Sequence, residues 1–485
     1  MTKGVSAGKG TIRLGLNLPM FVAAMVAIGS GTLVGMMGVW GAAAWGRPVP
    51  EWEKVGHAHT AWWAVLIIIA AMVLPSLSIK PWAKKLIVAG TFVGPVLWTG
   101  VLASYYEIGG PTLWRVEAPL GPIAYYELPV LGVIAAALEF LGFIALGVVG
   151  LSAGGVRLPL ISTESPPPKS KYELLTNIEV PRKVFLVPTL AIALSVVIGF
   201  AITGIFKVTH IPIRPAALVQ LHDHIALFAV SSMIVLIGMS VLGVSERVQR
   251  LGYKLMVISL PLVTAGLFAF NFLGVHSVVW VAPAAIYYLL ILMMIPAAFG
   301  YFSAKPAAER GVSGPHVPAY RWGIAIIFIG IAVTVAIGAS IAMIWDTNPN
   351  VTVTYRQPEG SPYPGPYPAK YIGTAPARGT PRGWELAHFS AGSWYHVAAI
   401  WMITLLVFGP SLLGARIGLL ILLAALIPLA PTFNLASRFL TLFGIPNSPG
   451  ALWFAGHPSM GFAIIALFII GVASIYLIAK GKKQT

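Results

Sequence analysis

The sequence predicts an all-α, polytopic membrane protein with about twelve transmembrane helices and both termini on the cytoplasmic side. Three observations predict it. Of 485 residues, 58% are hydrophobic and 9% charged, with a mean hydropathy of +0.85, and so few charged groups cannot coat a soluble globule of this size. Apolar stretches of roughly 18 residues or more, the length that crosses a bilayer core, recur along the whole chain. About two thirds of the 31 Lys and Arg fall in the loops that share a side with the amino terminus, which the positive-inside bias makes cytoplasmic.

The first apolar run begins near Leu16, extends to about residue 45 and lacks a small-residue cleavage site, so it reads as a retained helix rather than a signal peptide. Further spans are expected near 58–79, 83–106, 123–155, 184–206, 217–244, 251–272, 277–303, 322–345, 391–413, 417–434 and 458–479. Pro95, Pro129, Pro261, Pro283 and Pro428 lie inside these runs, where neighbouring helices can satisfy the freed carbonyls.

Two polar connections divide the chain. Residues 1–156 carry helices one to four, and 157–183 form a cytoplasmic Pro-rich linker that contains STESPPPKSK. Residues 184–345 carry helices five to nine. An extracytoplasmic segment, 346–390, is rich in Pro, Gly and Tyr and holds SPYPGPYPAKY; its composition suits neither a helix nor a plain turn. Residues 391–485 supply the last three helices and a basic tail.

Composition also excludes classes. The net charge of +16 is scattered between apolar runs rather than gathered on one face, so it reports topology and not nucleic-acid binding. Cysteine is absent, which removes disulfides, iron-sulfur clusters, thiolate copper and covalent c-type haem. There is no Walker loop, dinucleotide fingerprint or GxSxG elbow.

The histidines carry the chemistry. Of ten, His57, His59, His210, His222, His224, His276, His388, His396 and His457 fall at or just inside the outer ends of expected helices, and His316 lies on the inner side. Helices distant in sequence thus bring imidazoles to one depth, where a polar side chain is expensive and normally has a task. Imidazole without thiolate suits haem iron, copper or non-haem iron. In the HxH pairs His57/His59 and His222/His224, the two side chains point about 200° apart, so one helix can face two metal centres. His388 and His396 differ by about 80° and roughly 12 Å of rise, so they need not serve one ion.

With these features the chain resembles the haem-copper oxidase superfamily, the large subunit of terminal oxidases and nitric oxide reductases. The resemblance covers most of the chain in topology and rests on GHAH, LHDH, GVHS and AHFS. It implies a low-spin haem ligand at His57 or His59 and a non-haem metal at His222 or His224. His276 stands where the family has a His-His pair, and His388 where it has HxH. In both motifs the second histidine is replaced here, by Ser277 and Ser390. His396 and His457 have no family counterpart and offer further axial ligands. The reading therefore leans to two six-coordinate b-type haems, with copper or non-haem iron as the metal at His222, His224, His276 and Asp223 if a second metal is held.

Arg378, Arg382 and Arg438 lie on the outer side, where guanidinium groups suit haem propionates. Met460, three residues past His457, offers a thioether, though core packing is its commoner role. Asp223 can orient a neighbouring imidazole or ligate a metal; Glu127 and Glu139 are further carboxylates near the apolar layer.

The expected function is a haem-containing subunit of a respiratory electron-transfer complex in the cell membrane. It relays electrons between quinol or a partner subunit and an acceptor at the outer face, with reduction of oxygen or nitric oxide as the enzymatic form of that role. The alternative, from a different class, is a secondary transporter with an outer vestibule lined by His and Asp.

Overall fold

Strand β1 (Thr11–Asn17) runs directly into helix α1 (Leu18–Trp45). The computed structural model describes residues 10–45, 51–94, 129–165, 168, 170–209, 215–304, 311–344, 354–355, 371–372, 387–414, 416–440 and 449–480. Side chains are described except at 33–45, 51–58, 129–136, 202–209, 215–217, 219, 354–355, 371–372, 389, 437–440 and 449–464.

After α1 come α2 (Glu51–Val73), α3 (Pro81–Thr91), α4 (Pro129–Ala153), strand β2 (Glu173–Pro181), α5 (Lys183–Thr209), α6 (Pro215–Leu242) and α7 (Glu246–Phe268). They are followed by α8 (Val278–Ala298), α9 (Val317–Ile344), α10 (Gly392–Leu413), α11 (Ile417–Leu440) and α12 (Pro449–Lys480). Among the described residues, eight helical stretches are long and apolar enough to cross a membrane, and shorter apolar stretches cover Leu18–Thr32, Ala137–Ala153 and Ile465–Lys480. The chain is a mostly helical membrane protein. Helix interiors keep their prolines, as at Pro188, Pro261, Pro283 and Pro428, because packed neighbours take over the orphaned carbonyls.

Two small sheets accompany the helices. β1 pairs antiparallel with β2, Thr11 opposite Pro181 and Asn17 opposite Glu173. Leu16 therefore lies in a strand that ends at Asn17, and α1 begins at Leu18. The Pro-rich connection thus closes with a strand that ties the start of the chain to the start of α5. A second pair, β3 (Thr354–Tyr355) with β4 (Tyr371–Ile372), lies in the Pro/Gly/Tyr-rich segment; its other residues from 345 to 386 lie outside the described ones.

A buried ion pair fastens the first sheet to α3. Lys84 Nζ lies 3.5 Å from Glu173 Oε1, and the two side chains are 11% and 4% exposed. Asn17 Nδ2 donates to the same carboxylate oxygen, Ser170 N–H donates to Oε2, and Lys84 also donates to the carbonyl of Pro75. Such saturation with hydrogen bonds is what lets two charges remain out of water.

Burial ranks the helices. The apolar windows of α2, α6 and α10 are 72%, 89% and 83% buried, whereas the windows of α5, α7, α8, α9 and α11 lie between 33% and 56%. Half-exposed windows face lipid; buried ones are central. α2, α6 and α10 touch one another, and around them α3, α4, α5, α6, α7, α8 and α9 pack successively, with α9 on α11, α11 on α12 and α12 on α1. The helix starts that carry His59, His222 and the approach to α10 lie at the end of the bundle away from the β1–β2 sheet.

Candidate metal centre

The three central helices are also the three whose imidazoles meet. His59 on α2 and His222 on α6 have ring centroids 5.8 Å apart and planes inclined at 22°. His224, two residues further along α6, faces His388 instead, at 6.2 Å and 29°. The divergence of about 200° between alternate residues of a helix turns one ring of α6 toward α2 and the other toward the start of α10. His388 itself sits in a π-helical turn, Ala387–Ala391, that leads into α10; such turns recur at functional sites because they re-aim one side chain.

His222, His224 and His388 are anchored through Nδ1, as is His396 further along α10. His222 Nδ1–H donates to the carbonyl of Ser195 at 2.7 Å, and Ser195 Oγ–H returns a bond of 2.8 Å to the carbonyl of His222. His224 donates to the Gln220 carbonyl at 2.9 Å, His388 to the Thr334 carbonyl at 2.9 Å and His396 to the Gly392 carbonyl at 2.7 Å. A ring whose proton is held on Nδ1 presents its lone pair on Nε2, the usual preparation of a metal-ligating histidine.

Glycines make room for two of these rings. A Cβ at Gly199 on α5 would fall 2.8 Å from Cε1 of His222, and one at Gly338 on α9 would collide with the ring of His388. Trp280 stands edge-on to His224 at 5.5 Å, and Phe228 flanks the same ring. Asp223 lies beside the first pair, close enough for its charge to act on both His222 and His59.

Aromatic rings in direct contact have centroids about 4.5–7 Å apart. Two imidazoles sharing one metal axis hold their nitrogens about 4 Å apart, twice a bond of about 2.0–2.1 Å, which puts their centroids about 6 Å apart. The observed 5.8 and 6.2 Å fit both arrangements. Among the described residues no three His, Asp or Glu gather into a metal-holding group. Two nitrogens alone are too few for tetrahedral zinc or a three-imidazole copper site, but they suffice as the axial pair of an iron whose other four ligands come from a porphyrin.

The other expected residues fall as follows. His276 follows the end of α7, where its Nδ1 accepts from the backbone N–H of Val278, and Ser277 is buried with its hydroxyl on the carbonyl of Ala342. Ser390 pairs with Asn434 of α11. His396 is buried against Trp62, with ring centroids 5.6 Å apart. His57 lies on α2, Arg438 on α11 and His457 and Met460 on α12, but their side chains lie outside the described residues, as do Arg378, Arg382, His210 and Glu127 entirely. Sequence reasoning missed Ser195, Gly199, Thr334 and Gly338. A serine, a threonine and two glycines inside apolar helices have no local signature, because their task exists only across a helix contact.

No protein-family model and no curated protein matches the chain.

Proposed function

We propose that the chain is a multi-pass haem protein of the cell membrane that relays electrons at the outer side of the bilayer. On this reading it has about twelve spans with cytoplasmic termini and is a divergent relative of the haem-copper oxidase superfamily. Two b-type haems would be held by imidazole pairs, His59 with His222 and His224 with His388. The observation that carries the reading is the meeting of imidazoles from distant helices in two pairs, 5.8 and 6.2 Å between centroids, with Nδ1 of His222, His224 and His388 committed to backbone carbonyls so that Nε2 stays free to ligate.

Bound haem iron supplies one-electron chemistry. The protein supplies the rest. Carbonyls of Ser195, Gln220 and Thr334 hold the imidazoles in one tautomer and raise their basicity. Gly199 and Gly338 let α5 and α9 close over the rings and exclude lipid and water. Asp223 lies close enough to interact with both rings of the His59/His222 pair, so its ionisation would set that centre apart from the His224/His388 pair.

With both axial positions of each iron filled by imidazole, the arrangement suits a relay better than a gas-reducing site with copper or non-haem iron. Quinol or an electron-donating partner subunit feeds it, within a hetero-oligomeric complex, since the chain has no cysteine for a thiolate copper entry site. The test is a reduced-minus-oxidised visible spectrum and a pyridine haemochrome assay on protein purified from a haem-replete host. About two haems per chain are expected; protein without haem overturns the reading.

A further inference from the structure

Three buried polar atoms without hydrogen-bond partners among the described residues border one space between α6, α8 and α10. Ser231 on α6, Tyr287 on α8 and His396 on α10 line one narrow space, with Phe328 and Ile331 of α9 on its wall. Ser231 Oγ, Tyr287 Oη and His396 Nε2 are buried, and each lacks a hydrogen-bond partner within 3.5 Å among the described residues. A buried orphan costs about 1–3 kcal/mol, so three around one space call for a physical cause.

The serine gives the first indication. Buried helical hydroxyls elsewhere bond back to the carbonyl one turn earlier: Ser232 to Phe228, Ser240 to Leu236, Thr404 to Ile400 and Ser474 to Ile470. Ser231 makes no such bond and faces the shared space instead. Water does not resolve the orphans, because the walls leave no room for the centre of a water molecule. A metal ion would find a single imidazole and two neutral hydroxyls, a poor donor set. The three groups are left to one another.

Their donor inventory fixes a direction. His396 Nδ1–H is already given to the Gly392 carbonyl at 2.7 Å, so Nε2 can only accept. The Tyr287 phenol and the Ser231 hydroxyl line the same space, and a phenol is the better donor of the two. We infer that Tyr287, Ser231 and His396 form a directed hydrogen-bond relay across α8, α6 and α10. The phenol donates to the serine, the serine donates to His396 Nε2, and the Gly392 carbonyl terminates the chain. Small rotations of the two hydroxyl-bearing side chains complete it.

The relay sits under the second imidazole pair. Ser231 is seven residues, two helical turns, beyond His224 and so on the same face of α6, and Phe228 between them packs edge-on against Tyr287 at 4.8 Å. The groups facing His396 from neighbouring elements are Tyr287 of α8, His388 ahead of α10 and the uncharged Trp62 of α2 and Ser231 of α6. The relay thus ties α6 to α10 below His224 and His388 and acts on that pair as a positioning device. It also gives His396 a task other than haem ligation. The relay itself rests on the buried groups alone; only its effect on the second haem rests on the function proposed above.

Isotope-edited infrared spectroscopy on full-length protein tests it. With ring-labelled tyrosine, the band lost in Tyr287→Phe identifies Tyr287. In wild type it should have the position of a hydrogen-bond donor; Ser231→Ala should abolish that position and Ser231→Thr should restore it. A Tyr287 band unchanged in Ser231→Ala overturns the relay. Should the variants fail to fold, 15N-histidine spectra of the wild type decide: an Nε2 signal of a hydrogen-bonded acceptor at His396 supports the relay, and that of an unbonded one overturns it. Electron paramagnetic resonance of the second low-spin haem should shift in Ser231→Ala and revert in Ser231→Thr. An unmoved haem signal beside a changed tyrosine band removes the positioning role. Protein without haem that keeps the tyrosine signature overturns the proposed function and leaves the relay standing.

Discussion

Gly338 on α9 stands where the imidazole of His388 needs its space: a side-chain carbon at that position would collide with the ring. The ring is held there by a bond of 2.9 Å to the Thr334 carbonyl, one helical turn earlier on the same helix. One turn of α9 therefore supplies both the room and the anchor for one member of the second imidazole pair.

Gly338→Ala should displace His388 and cost about 1–3 kcal/mol, the usual range for overpacking. Haem content by pyridine haemochrome should fall from about two per chain toward one. Gly147→Ala on α4, where an added Cβ meets nothing within 4 Å, is the control and should keep both. Equal haem in the two variants would show that His388 is not a ligand.

His388→Ala and His396→Ala should differ. The first removes an axial ligand and one low-spin haem spectrum, whereas the second leaves the haem count unchanged, because His396 faces Ser231 and Tyr287. Loss of haem from His396→Ala would make it a ligand.

Both irons are expected to carry two imidazoles. Carbon monoxide binds ferrous haem only at an open axial position. Its addition to the dithionite-reduced protein should leave the Soret band nearly unchanged. A large shift, with copper or non-haem iron found by elemental analysis, would point to a gas-reducing enzyme.

Lys84→Met leaves Glu173 buried without its cation. Removing one partner of a buried ion pair costs about 3–5 kcal/mol, so the variant should unfold at markedly lower denaturant in detergent. Adding Glu173→Gln should recover a large part of that loss. Equal stabilities for wild type and single variant would reduce the pair to a bystander.

His316, just ahead of α9, is 1% exposed. Burial holds its imidazole below the ordinary value of 6.5, against a smaller opposing contribution from the Leu406 carbonyl. The unfolded chain therefore binds a proton first as pH falls, and the stability of the folded state is complete above pH 6.5 and declines below it. His316→Phe should remove that part of the acid sensitivity in thermal melts between about pH 7 and 5. The same slope in both proteins would assign it to other groups.

The helices were legible in the sequence because an apolar run of bilayer length has few other fates. The pairing of the histidines was legible only in part. HxH on α6 announces two opposed faces, but the identity of the facing helices depends on packing, and resemblance to a family assigned His222 and His224 to a metal shared with His276 rather than to His59 and His388. Strand β2 was obscured by the Pro-rich stretch before it, although Leu174, Ile178 and Val180 are buried and Leu175 is exposed. Ser231 was illegible for a different reason: only its failure to bond its own helix distinguishes it from Ser232.

The antiparallel register of Thr11 with Pro181 also orders biogenesis. The first strand leaves the ribosome with its backbone edge open, and its partner follows some 170 residues later, after four helices have been delivered to the bilayer. At about 5–20 residues per second, that interval lasts roughly 10–30 s. Insertion of the first helices must therefore proceed without the clasp, and its closure, with Glu173 arriving at Lys84, marks the moment at which the leading group of helices is locked to the rest.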